Sequence, residues 1–321
     1  MNLRSRIASL QSIVALVVLV VALGLMTDSF LTPENGLNVL RQISVNLCLS
    51  IGMTLVILSG GIDLSVGSML ALAGAVSAGL LKHGVDLPGM GVHLEFTVLG
   101  AIVAGLVVGS LLGAFNGLTI TRFGLPPFVA TLGMLSIARG LTMLWTGGHP
   151  ITGLGDTFGQ LGSGHLLGLP TPTWIVAALV ALFTLITLRT RFGRHLYAIG
   201  GNERAAELSG VNVAWVKMGA YTLCGAMAGA AGVLITARLD SATPNAGVAY
   251  ELDSIAAVVI GGASLSGGRG SVLGAALGCL IIGILNNGLV LLEVSPFWQQ
   301  VIKGGVILLA VAIDRAARGG K

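Results

Sequence analysis

The sequence predicts an all-α, polytopic transmembrane helical bundle of about ten spans with both termini in the cytoplasm. Three observations carry this. The 321-residue chain is 54% hydrophobic and only 9% charged, whereas soluble domains run at about 25% charged residues. Long apolar stretches recur from end to end and leave no soluble domain of useful size, so residues 1–321 read as a single transmembrane domain. The basic residues gather in alternate loops, as the positive-inside rule requires. With so apolar a background, the 49 glycines point to close helix packing rather than disorder.

A span needs about 20 mostly apolar residues. Such stretches fall at 11–27, 42–60, 64–81, 96–119, 126–145, 172–189, 213–236, 252–264, 271–292 and 299–314. The first reads as an uncleaved span rather than a signal peptide, because Ala22-Leu23-Gly24 makes a poor cleavage site. The second and third merge through Ser59–Ser68 and part only at the glycines. The eighth is short enough to be re-entrant. With the N-terminus inside, Arg4, Arg6, Arg122, Arg189, Arg191, Arg194, Arg204, Lys217, Arg269, Arg315, Arg318 and Lys321 fall on the cytoplasmic side. Arg41, Lys82, Arg238 and Lys303 fall outside, and Arg139 lies within a span. Trp145, Trp174, Trp215 and Trp298 all fall at span ends, where aromatic belts sit. Glu251 and Asp253, at the outer start of the eighth span, read as solvated. The outer loop Thr146–Thr171 has no Lys or Arg and reads as a flexible or folded-back element.

Composition and motifs exclude several functions. The net charge of +4 is explained by topology and gives no case for nucleic-acid binding. Cys48, Cys224 and Cys279 lie in apolar stretches without CxxC spacing, which argues against disulfides and a metal site. No GxxxxGK[ST], HExxH or GxSxG motif occurs. Nothing assembles a nucleophile with a base, so no catalytic residue is expected.

Polar residues inside spans are the candidates for a pathway, because they are costly there unless they face water or a partner. Gln42, Asn46, Ser50 and Thr54 recur every four residues along one side of the second span. Their amides and hydroxyls suit a neutral, polyhydroxylated ligand, or equally hydrogen bonds between helices. Ser136, Arg139, Thr142 and Thr146 form a similar face on the fifth span, and Asn286 and Asn287 a third position. Asp63, after two glycines, reads as a cap on the third span. Gly105, Gly109 and Gly113, Gly225 and Gly229, and Gly274 and Gly278 line helix faces that let backbones approach. GGIDLSVGS (Gly60–Ser68) echoes GGASLSGGRGS (Gly261–Ser271), a hint of internal duplication. The one long polar island, Arg189–Val213, carries a helix-forming stretch, Asn202–Leu208, closed by Gly210. A short amphipathic helix on the cytoplasmic face is a docking surface.

Four segments carry a family resemblance. GMTLVILSGGIDLSVGSMLALAGAV (Gly52–Val76) resembles the signature of sugar permeases of ATP-binding-cassette importers. TRFGRHLYAIGGNERAAELSGVNV (Thr190–Val213) is similar to that family's cytoplasmic coupling segment. YELDSIAAVVIGGASLSGGRGS (Tyr250–Ser271) and NNGLVLLEVSPFWQQVIKGGVILLAVAIDR (Asn286–Arg315) are similar to its C-terminal part. The resemblance covers nearly the whole chain and is nearest to the ribose-carrying members. It implies a type II importer-like permease in a bacterial inner membrane, paired with a second permease as a homodimer or a pseudo-dimer, the homodimer being the leading reading. It also implies a cytoplasmic ATPase that holds ATP and Mg, a periplasmic sugar-binding protein, and no cofactor on this chain. By position, 190–213 would be the coupling segment, with Gly201, Asn202, Glu203, Ala206 and Gly210 in its helix, and Gly60, Gly61, Asp63 and Ser65 would be structural signature residues. The rival reading, an ion-coupled secondary sugar transporter, requires membrane-embedded carboxylates, for which Asp63 is the one good candidate. A membrane-embedded enzyme is the more distant alternative.

Overall fold

The computed structural model describes residues 3–87 and 91–316. In chain order its helices are α1 (Leu3–Met26), α2 (Pro33–Leu58), α3 (Val66–His83), α4 (Val98–Arg122), α5 (Pro127–Thr146), α6 (Asp156–Ser163), α7 (Thr171–Arg189), α8 (Arg191–Gly201), α9 (Glu203–Leu208), α10 (Val213–Leu239), α11 (Tyr250–Ile260), α12 (Val272–Leu291) and α13 (Pro296–Ala316). Short antiparallel pairs join β1 (Val85–Leu87) to β2 (Val92–Leu94), β3 (Ile151–Thr152) to β6 (Ser241–Ala242), and β4 (His165–Leu166) to β5 (Leu169–Pro170).

Each predicted apolar stretch falls on a helix. Among the described residues seven helices are long and apolar enough to cross a membrane: α2, α3, α4, α5, α7, α10 and α12. In α1 the apolar stretch is the shorter Ser12–Met26. The 11 residues of α11 rise only about 16 Å, roughly half of a ~30 Å hydrocarbon core. Arg318 and Lys321, two of the basic residues used to orient the chain, lie outside the described residues.

The chain forms two compact units. The first comprises Met1–Gly61, Ala177–Val211 and Leu252–Lys321, and the second Ile62–Val176 and Asn212–Glu251. In the second unit α3 and α10 are mostly buried, and glycines determine how closely their neighbours approach. A Cβ on Gly109 would run into the Gly225 carbonyl, and one on Gly229 would lie 2.7 Å from the Gly105 oxygen. The glycine faces read from the sequence on α4 and α10 thus meet each other. The loop after α5 is folded back. Phe158 of α6 is fully buried in a cluster with Ala75, Ala78, Leu154, Val233, Ala237 and Ala242. The Asp240 carboxylate accepts from Leu154 N at 2.8 Å, and Lys82 Nζ donates to the Thr152 carbonyl.

In the first unit α2 packs on α12 and α11 through Val39, Ile43, Ala256, Ala257, Cys279 and Ile282. A Cβ on Gly278 would collide with the Ala257 carbonyl. Asp253 corrects the reading of a solvated carboxylate. It is 5% exposed, and Lys303 Nζ of α13 lies 3.1 Å from its Oδ2. Asp253 is buried within this unit, so its charge is met by an ion pair instead of water. Cys48, Cys224 and Cys279 are free and buried.

The two echoing glycine links have matching local geometry. Gly60 (φ +84) donates to Ile57 O at 2.9 Å and Gly61 to Val56 O at 3.0 Å, while Gly262 (φ +89) donates to Val259 O at 2.9 Å and Ala263 to Val258 O at 3.1 Å. Each link closes its preceding helix with the same left-handed turn. The backbone register pairs Gly60 with Gly262, one residue off the register read from the letters alone.

Candidate docking surface and polar positions

The polar island folds as two short helices. Thr190 ends α7 and caps α8, its Oγ1 accepting from Gly193 N at 3.2 Å. Asn202 ends α8 and caps α9, its Oδ1 accepting from Ala205 N at 3.0 Å. Gly210 (φ +85) closes α9, donating to Glu207 O at 2.9 Å, and Val211 reaches Ala206 O at 3.1 Å. Gly193, Leu196, Ile199 and Ala206 are buried, whereas Gly201, Asn202, Glu203, Leu208 and Gly210 are exposed. Of the five positions carried over by resemblance, four are therefore on the surface and Ala206 anchors the helix beneath them. Leu208, 83% exposed, is the large apolar side chain of this face.

What seats the surface was missed in the sequence. A Cβ on Gly200 would collide with Leu58 O and Gly268 N, and Gly268 N itself donates to Leu58 O at 3.0 Å. The Tyr197 hydroxyl donates to Gly270 O at 2.9 Å, and burial pushes its phenol above the ordinary value, which keeps it a donor. The end of α2, the glycine link 261–271 and α8 therefore meet backbone to backbone.

Asp63 and Ser65 lie at the start of α3 in a buried polar cluster. Asp63 Oδ1 accepts from Ser65 N at 2.9 Å and from Ser65 Oγ at 2.5 Å. Asn116 Nδ2 of α4 donates to Ser65 Oγ at 2.9 Å, and the Tyr221 hydroxyl of α10 donates to Ile62 O at 3.4 Å. Asp63 does not cap α3 as expected: Ser65 holds the N-cap position without a side-chain capping bond, and Asp63 orders the turn before it. Burial raises the Asp63 carboxyl and the Ser65 hydrogen bonds oppose that rise. Asn116, a lone amide in an apolar helix, was the legible signal for this cluster.

The remaining polar positions differ among themselves. On α2, Gln42 and Asn46 are half-buried while Ser50 and Thr54 are buried; Thr54 Oγ1 donates to Ser50 O at 2.6 Å, and Asn46 Oδ1 is buried without a hydrogen bond. On α12, Asn287 exchanges two amide hydrogen bonds with Asn35 of α2, at 2.8 and 3.0 Å, whereas Asn286 Oδ1 has no partner. On α5, Ser136 is exposed, Thr142 donates to Ala138 O at 2.7 Å, and Arg139 Nη1 donates to Pro244 O at 2.5 Å and Ala246 O at 2.9 Å. That guanidinium satisfies carbonyls of a non-helical turn next to Gly247, which abuts Gly67 of α3. Irregular backbone between membrane helices requires such partners. Among the described residues no group of His, Cys, Asp and Glu could hold a metal ion.

The ribose import permease protein of Bacillus subtilis (strain 168) is 50% identical over 303 residues, 94% of this chain and 90% of that protein. The ribose import permease protein of Escherichia coli (strain K12) is 46% identical over 308 residues, 95% and 92% of the two chains. The D-allose transport system permease protein of the same strain is 39% identical over 288 residues, 90% and 85%. No solved structure matches the chain. The family profile described as branched-chain amino acid transport system / permease component matches residues 35–311, and the chain, a multi-pass helical protein over that whole stretch, belongs to this family.

Proposed function

We propose that the chain is the membrane-spanning permease subunit of an ATP-binding-cassette importer that carries a monosaccharide, with ribose first, into the bacterial cytoplasm. The observation that carries this is the 46–50% identity to ribose import permeases over nearly the whole length. The chain is a transport subunit and not an enzyme. In this reading it sits in the inner membrane as a single transmembrane domain with about ten spans and both termini in the cytoplasm. It works as a homodimer with the architecture of type II importers. A cytoplasmic ATPase that holds ATP and Mg grips residues 190–213 through Gly201, Asn202, Glu203, Ala206 and Gly210, and a periplasmic sugar-binding protein delivers the cargo outside. The permease itself binds no cofactor. The exposed face of α8–α9 and its rigid seat on α2 and the glycine link support a docking role. Gln42, Asn46, Ser50, Thr54, Ser136, Arg139, Thr142, Asn286 and Asn287 are assigned to the pathway, where brief hydrogen bonds to sugar hydroxyls suit passage better than tight binding. Gly60, Gly61, Asp63 and Ser65 hold the α2–α3 link.

The test is ribose uptake in vesicles containing the chain, its ATPase and its binding protein. Uptake is expected to require ATP and to persist when a protonophore collapses the proton gradient. Gradient-driven uptake by the chain alone would instead establish the ion-coupled rival.

A further inference from the structure

We propose that the cavity where α3 meets the end of α5 in the second unit is a low-affinity monosaccharide subsite, with the Trp145 ring as its stacking platform. The inference rests on the sugar-permease reading and deepens it. The cavity, about 300 Å³, is lined by Gly79, His83, Gly84, Trp145, Thr146 and Ile151. That volume is at the small end of ligand pockets, which run from about 300 to 1,000 Å³. Its described wall combines one indole, one imidazole, one hydroxyl, an aliphatic chain and two glycine backbones, and among these lining residues there is no carboxylate or ammonium. This chemistry fits a neutral sugar, whose C–H faces stack on an aromatic ring and whose hydroxyls seek uncharged donors and acceptors.

The way Trp145 is held separates a platform from a membrane anchor. An interfacial tryptophan keeps its ring in the apolar layer and turns its N–H toward water and headgroups. Trp145 does the reverse: its Nε1 donates to the Ala75 carbonyl of α3 at 3.0 Å, while 46% of the residue remains exposed. The nitrogen edge fits because residue 79 is glycine. A Cβ there would lie 2.5 Å from Nε1 and 3.0 Å from Cε2. The ring is thus fixed before any ligand arrives, which lowers the ordering cost of binding. Thr146 is fixed as well, donating to Thr142 O at 2.9 Å, and His83 is exposed at the end of α3. Ile151 is held by the pairing of β3 with β6.

The chain has four tryptophans, at 145, 174, 215 and 298, so W174F/W215F/W298F leaves Trp145 as the sole indole. Titration of this variant with D-ribose, D-allose and D-galactose should give a saturable emission change with millimolar half-saturation for at least one sugar, and none with glycerol at matched osmolality. G79A, which displaces the ring, should abolish the response. If the triple variant does not fold, the sugar-dependent difference between the natural chain and W145F reads the same site. In the assembled importer W145A should lower the maximal uptake rate about five- to tenfold with ATPase binding unchanged. A linear, glycerol-like response to all three sugars, or W145A uptake equal to that of the natural chain, overturns the subsite while uptake itself upholds the permease reading. An assembled importer that takes up none of the three sugars overturns that reading and the subsite with it.

Discussion

Asn287 and Asn35 satisfy each other across α12 and α2 with two amide hydrogen bonds. Interhelical bonds of this kind in membranes contribute about 0.5–2 kcal/mol. Asn287→Ala and Asn35→Ala should each destabilise the purified protein, and the double variant should lose less than the sum. A double-mutant cycle on denaturant unfolding measures the coupling, and strict additivity would mean that the pair is idle. The Asp253–Lys303 pair is more demanding, because removing one partner strands a buried charge. Lys303→Met should cost about 3–5 kcal/mol, and adding Asp253→Asn should recover most of it; thermal unfolding of the two variants decides. Adjacent amides at 286 and 287 were visible in the sequence. Which of them pairs depends on the rotation of α12 against α2, which no local pattern contains. Asp253 was misread for the same reason: its surroundings are supplied by α13, fifty residues away.

Helices are where reading from letters went furthest. Hydrophobic length alone located all ten apolar stretches, and the four-residue glycine spacing marked the close-packing faces of α4 and α10, although not that they meet each other. That spacing makes a contrast at the level of the element. Gly109→Ala places a methyl group against the Gly225 carbonyl and should lower the unfolding temperature, with overpacking costing about 1–3 kcal/mol. Gly133 and Gly140 of α5 have nothing within 4 Å of an added Cβ. Alanine there should be neutral, or stabilising by up to about 1 kcal/mol through helix propensity. Equal effects at 109 and 140 would remove packing as the role of the α4 glycines. Less legible were the folded-back α6 and the seat of α8, because both depend on glycine backbones meeting across long separations: Gly162 against Arg238, and Gly200 against Leu58 and Gly268.

At the scale of the whole molecule, the proposed division of labour puts energy supply on a partner and passage on this chain. Gly210→Pro forces φ to about −65° where the structure holds +85, and Glu203→Lys reverses a charge on the exposed face. Both variants should insert and fold, yet ATP hydrolysis in the assembled complex should no longer drive sugar uptake. Normal uptake by both would remove α9 from the coupling surface. The segment itself stood out because a charged, helix-forming island is conspicuous in so apolar a chain, whereas its five coupling positions rest on the resemblance. The route of the sugar was not legible, because isolated polar letters do not distinguish a wall facing water from a bond between helices.

All three native thiols are sealed inside the protein: Cys48 is 0%, Cys224 1% and Cys279 1% exposed. Membrane-impermeant maleimides should therefore leave the natural chain unmodified under native conditions. Spin labels, fluorophores or cross-linkers can then be attached at engineered surface sites without first stripping the background, and the sidedness of every loop can be read directly in intact cells.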